Sequence, residues 1–141
     1  MAMKRLVGIA FLALLFTTSC EKKTPTSPHP ILGCWQVTDI FSESEYSGVH
    51  HEDLSGEELS YEFRAPDVLI TTMIENGDTT VENGSWLLNG DTLYLVQSRE
   101  PGEEPGMPGV MQIQSLDNQT MRWCYLILGD MYIDLKRINN Q

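Results

Sequence analysis

The chain has 141 residues, 41% of them hydrophobic, which suffices for the core of one domain but not for a bundle of membrane spans. Its 20 acidic residues against 9 basic ones leave a net charge of −11. A field of that sign repels phosphate backbones, and no Lys/Arg cluster lies beyond Lys23 to reverse it locally, so nucleic-acid binding is excluded.

Residues 1–19 open with Lys4 and Arg5, run without charge from Leu6 to Phe16, and end in Thr17, Thr18 and Ser19 ahead of Cys20. This is the pattern of a secretory signal. The uncharged run, as a helix, covers only about half of a ~30 Å hydrocarbon core, too little for a mature anchor. A Cys directly after such a run resembles the lipobox of bacterial lipoproteins. The resemblance implies cleavage before Cys20 and acylation of its thiol, so that the protein meets its membrane through a lipid. Cleavage by the ordinary signal peptidase, or retention of the segment, are the other readings. Glu21 after the Cys, where an Asp would retain the protein in the inner membrane, implies a place in the cell envelope on the outer membrane. The order Glu21-Lys22-Lys23 is the reverse of a surface-export signal, which favours the periplasmic face. From Cys20 to Pro30 the chain offers three prolines and no apolar side chain past the Cys, and reads as an extended tether in which His29 is solvated.

Residues 31–141 form the domain. Nineteen acidic residues there face only Arg64, Arg99, Arg122, Lys136 and Arg137, a local net charge of −14. No long stretch carries helical spacing, whereas period-two alternation recurs throughout. Strands are expected over 33–41, 58–64, 68–75, 79–88 (either continuous or broken at Asn83-Gly84), 92–98, 110–115, 120–128 and 131–138. Short turns such as Ala65-Pro66-Asp67, Asn76-Gly77-Asp78 and Asn89-Gly90-Asp91 join antiparallel neighbours. Two connections are long, 42–57 and 99–108. The expectation is all-β: an eight-stranded antiparallel up-and-down β-barrel, because closure removes both edges, with a two-sheet β-sandwich as the rival.

The first strand begins Gly33-Cys34-Trp35, a Gly-x-Trp. Farther on come Leu59-Ser60-Tyr61-Glu62-Phe63, then Gly84-Ser85-Trp86-Leu87-Leu88-Asn89-Gly90-Asp91-Thr92-Leu93, and a last strand ending in Lys136-Arg137. In that order these segments resemble the small lipocalin-like lipoproteins of Gram-negative bacteria, within the lipocalin superfamily. The resemblance implies that Trp35 plugs the closed end of the barrel under Arg137, and parity agrees, since Arg137 shares a face with Met131, Ile133 and Leu135. It also implies a small apolar or amphipathic ligand. Strand parity nominates Tyr61, Phe63, Ile70, Trp86, Leu95, Met111, Trp123 and Tyr125 as inward residues that would line its site, with Val68, Ile74 and Ile127 on the same inner face. Eight strands enclose just enough space to be filled by side chains or to hold one small ligand, so a solid core remains open beside a pocket at the open end.

Cys34 and Cys124 are the thiols left beside Cys20. A barrel puts their strands about 10 Å apart, against the ~7 Å limit for bridged Cα atoms, which favours two separate thiols over a disulfide. His50-His51-Glu52-Asp53 gathers metal-ligating groups, but without regular spacing it reads as a solvated acidic loop, as do Glu100, Glu103 and Glu104. No nucleophile elbow, phosphate loop, dinucleotide turn or zinc-protease motif is present, so the chain is read as no enzyme, with no metal and no cofactor. The expected function is ligand binding by a lipid-anchored envelope protein. The alternative is a solid protein-interaction module serving an envelope partner through the loop His50 to Glu58.

Overall fold

Residues 75–78 show how the sequence dictates the architecture. Asn76 and Gly77 both have positive φ, 52° and 89°, which turns the chain tightly enough to set Glu75 opposite Asp78. Gly90, at φ 60°, sits in the turn that sets Asn89 opposite Thr92. A computed structural model describes residues 28–98, 108–127 and 130–139, and every described regular element in it is a strand.

The strands are β1 (Gly33–Ser44), β2 (Gly48–His51), β3 (Glu57–Arg64), β4 (Val68–Glu75), β5 (Asp78–Asn89), β6 (Thr92–Gln97), β7 (Gly109–Leu116), β8 (Thr120–Tyr125) and β9 (Met131–Ile138). β1 and β3 to β9 pair antiparallel with their sequence neighbours, and β9 returns to β1 along eight residue pairs, from Cys34 opposite Ile138 to Ser42 opposite Met131. The result is the closed eight-stranded barrel expected, and no sandwich. The ninth strand, β2, lies in what the sequence presented as a loop. It pairs with Phe41 to Ser44 on the same edge of β1 that β3 occupies at Gly33 to Gln36, so it continues that edge where β3 has diverged.

Two expectations need correction, and the alternative left at Asn83-Gly84 is decided. The face of β4 is inverted: Phe63 lies opposite Leu69 and Tyr61 opposite Thr71, so Leu69, Thr71 and Met73 point inward, while Val68, Ile70 and Ile74 point outward. Leu69 is accordingly 2% exposed and Val68 39%. The cause is the turn, since three residues between Arg64 and Val68 place those two side by side on the outer face. Ile127 is no inner strand residue, because β8 ends at Tyr125 and Ile127 is exposed. β5 runs unbroken through Asn83-Gly84, where Gly84 lies opposite Leu69; a Cβ there would strike the carbonyl oxygen of Val96. Glycine lets β6 approach β5 at that point.

The core fills the lower and middle barrel with Trp35, Phe63, Leu69, Leu93, Met111, Met121, Trp123, Ile133 and Leu135. Trp123 meets Tyr61 edge-on at 5.2 Å, and Phe63 meets Trp86 edge-on at 5.6 Å. Edge-to-face pairing adds to what area burial alone contributes.

Candidate functional site: an open cup above a sealed floor

The two ends of the barrel differ. At one end the chain enters along Pro30 to Gly33, and Ile31 is wholly buried beneath Trp35, whose Nε1–H donates to the Ile31 carbonyl at 2.7 Å. Arg137 lies over the Trp35 ring with its Cζ 4.2 Å from the centroid, and its guanidinium donates to the carbonyls of Asn118 (2.7 Å), Leu32 (2.6 Å) and Pro30. Gly33, at φ 120°, leaves the room in which Arg137 Nη1 sits. This end is shut by one cation that ties the first strand, the last strand and the turn before β8 together.

At the other end, among the described residues, the interior opens. Met73 points inward by register yet is 42% exposed, and Thr80, Glu82 and Gln97, also inward, are exposed as well. A residue that faces the barrel axis and still meets water marks a mouth. Half-buried Leu59, Ile40, Tyr125 and Met131 lie around the remainder of this rim, so the cup has a polar wall on β4 to β6 and a more apolar one opposite. Gln97 Nε2 donates to Glu82 Oε2 at 2.5 Å across the polar wall.

The floor consists of Tyr61, Leu95 and Trp123, exposed by no more than 9%. Burial pushes the phenol of Tyr61 far above its ordinary pKa, with Tyr125 close enough to add a smaller push, and burial raises Tyr125 too. Both stay neutral donors at any physiological pH. The Nε1–H of wholly buried Trp123 has no acceptor among the described residues. An unmet buried donor costs about 1–3 kcal/mol, so this indole is a place where an acceptor brought from outside would be favoured.

Of the residues nominated from the sequence, Tyr61, Leu95 and Trp123 form that floor, and Tyr125 stands at the wall. Phe63 and Met111 are sealed in the core. Trp86 is half-buried near the closed end, its Nε1–H donating to the Arg64 carbonyl at 3.1 Å. Ile70 is on the outside, as corrected above. Sequence reasoning missed Thr71, Met73, Glu82 and Gln97, because it sought apolar lining and these lie on an inner face that turns polar toward the mouth. The signal for the first two was the length of the turn after Arg64.

His50 and His51 are adjacent in an extended strand, so their rings project to opposite sides, and among the described residues no three metal-ligating side chains converge. His51 instead bonds Asp39 through Nδ1 at 2.9 Å and lies against Phe41, 5.6 Å between centroids. Phe41 faces outward beyond a bulge between Val37 and Asp39, yet is only 7% exposed, because it stacks on Tyr132 at 5.2 Å and lies under Arg122 at 5.0 Å. Arg122 in turn grips Asp134 with two bonds, 2.5 and 2.7 Å. The opposed carboxylates Asp39 and Asp134 thus each have a side-chain partner, the His51 imidazole and the Arg122 guanidinium, and β2 is pinned to the barrel wall. Cys34 and Cys124 also face outward, opposite Ile138 and Tyr132 of β9. Six residues along one strand is about 20 Å, so the two do not bond to each other. Cys20, the signal segment and Glu100, Glu103 and Glu104 lie outside the described residues.

An open cleft of about 470 Å³ at the closed end, between His29, Pro66, Trp86 and Leu88, and a groove of about 360 Å³ on the outer face along Thr38, Arg122, Asp134 and Lys136 are separate from the cup.

No family model and no curated protein sequence matches this chain. Solved structures do match its shape. A lipocalin-like protein from Bacteroides uniformis superposes with a TM-score of 0.60 at 13% identity, over 78% of this chain and 100% of the other. An uncharacterized protein from Bacteroides eggerthii superposes with a TM-score of 0.58 at 14% identity, over 76% of this chain and 98% of the other. The fold is therefore lipocalin-like.

Proposed function

We propose that the protein is a non-catalytic binder of a small apolar or amphipathic molecule, which it takes into the cup at the open end of the barrel. The observation that supports this most is the inward-facing yet solvent-exposed wall of β4 to β6 above an aromatic floor. A solid interaction module has no need of a wet interior. A few oriented polar groups over an apolar base are the usual make-up of a small-molecule site. The lipobox-like approach to Cys20 supports a lipid anchor that holds the cup at the cell envelope, on the periplasmic face of the outer membrane, some 30 Å from the lipid at the reach of the tether. A lipid-anchored receptor or carrier follows from the two together.

Native mass spectrometry of the full chain purified gently from a Gram-negative envelope, followed by organic extraction, tests the reading. A discrete small molecule bound at one per barrel is the expected result. An empty barrel that also leaves the emission of an apolar dye unchanged would overturn it. A second reading, contact with an envelope protein partner, draws on the outer face of β4 to β6, where exposed Val68, Val81, Leu87 and Val96 stand without a charge among them.

A further inference from the structure

Resting on the reading of the cup as a ligand site, we infer that its ligand is a cationic amphiphile, with its positive group at the wall of β3 to β5 and its chain over Trp123. Register puts Glu57, Glu75 and Asp78 on the inner face at the rim, and Glu82 on the same face deeper in the cup. Glu57 lies directly opposite Glu75, and Glu75 directly opposite Asp78. Like charges opposed on one face destabilise a sheet, and among the described residues none of these four carboxylates is in an ion pair. The outer wall treats the same problem differently: there Asp39 and Asp134 are opposed too, but the Arg122 guanidinium grips Asp134 and the His51 imidazole bonds Asp39.

No described Lys or Arg is placed to compensate the inner set. Arg64, Lys136 and Arg137 belong to the closed end, and Arg122 is engaged on the outer face. Among the described residues nothing supplies the compensating cation, and a ligand can bring it. The half-buried ring of Tyr125 on the opposite wall suits it as well, since ring faces attract ammonium groups. The second, independent sign of a ligand is the inward-facing, wholly buried Trp123, whose indole N–H has no acceptor among the described residues. A carbonyl or ether oxygen on the entering chain supplies one. An anionic amphiphile of equal length would meet the same floor but four uncompensated carboxylates on the way.

Three probes with one acyl chain separate charge from apolarity: decanoylcholine, 1-decanoylglycerol and decanoate, each titrated below its micelle concentration into the full chain. Decanoylcholine is expected to bind about tenfold more tightly than decanoate at low salt, with the glycerol ester between them and the gap narrowing as salt screens it. The Trp123 indole N–H resonance is expected to move on saturation. Glu82→Gln should remove most of the preference for the cation while sparing the glycerol ester. Glu58→Gln, the same charge change on the outer face of the same end, should leave the preference intact. Equal binding of all three probes, equal effects of the two variants, or cation binding that leaves the Trp123 resonance unmoved overturns the inference while the cup remains a ligand site. Failure of all three probes to bind overturns both.

Discussion

Arg137 has no acidic partner among the described residues and is nevertheless held by three carbonyls and one indole. A guanidinium can serve three acceptors at once because its donors are spread over a rigid plane, which an ammonium cannot match. Arg137→Ala is expected to lower unfolding free energy by about 1–3 kcal/mol in urea titration, and Arg137→Lys to recover only part of it. Asp117 makes a different kind of residue-scale contribution. Its carboxylate accepts from the Gln119 and Thr120 backbone N–H groups, each at 2.7 Å, and these bonds hold its pKa below the ordinary carboxylate value. A depressed native pKa stabilises the fold above the unfolded-state value and ceases to do so as pH falls through the native one. The melting-temperature gap between wild type and Asp117→Asn should thus be largest near neutrality and close in acid. A gap that stays constant down to pH 2 would count against the turn bonds.

At the scale of elements, β4 shows what patterning can and cannot specify. Val68, Ile70 and Ile74 are more β-branched and more apolar than Leu69, Thr71 and Met73, so alternation alone favours the wrong face. Turn length decides it. Leu69→Ala is expected to cost about 2–5 kcal/mol and Ile70→Ala distinctly less, a comparison that denaturant titration of the two variants checks directly. Phe41 teaches the same lesson from the opposite side: it faces outward, but the hairpin of β1 and β2 covers it, so Phe41→Ala is expected to cost about 3 kcal/mol despite its position outside the barrel. The sequence made the strands and tight turns legible because Asn-Gly and Gly-Asp pairs interrupt clear alternation. It hid β2, whose Gly48 and paired histidines His50 and His51 carry no strand signal and which pairs only because β1 continues past the point where β3 leaves it. The acidic inner wall was hidden for a related reason, since Glu57, Glu75 and Glu82 show their shared face only once three strands are in register.

For the whole molecule, the division of labour runs along the barrel axis: aromatic packing and the Arg137 plug hold the lower half, and in the upper half inward-facing side chains among the described residues meet water. Ligand binding should therefore raise the melting temperature with concentration, following RT ln(1 + [L]/Kd) for a one-site binder of the native state. The seam between β1 and β9 has a further consequence for how the chain comes into being. The first strand of the barrel finds one of its two neighbours in the last, about a hundred residues later in sequence, and the guanidinium that seals the bottom arrives on that same final strand. Until Met131 to Ile138 have emerged, β1 has one open edge, Trp35 has no lid, and non-local closure cannot begin. The order of the residues alone thus postpones closure: the hairpins from β3 to β8 can form locally as the chain appears, but the sealed barrel waits for its final strand.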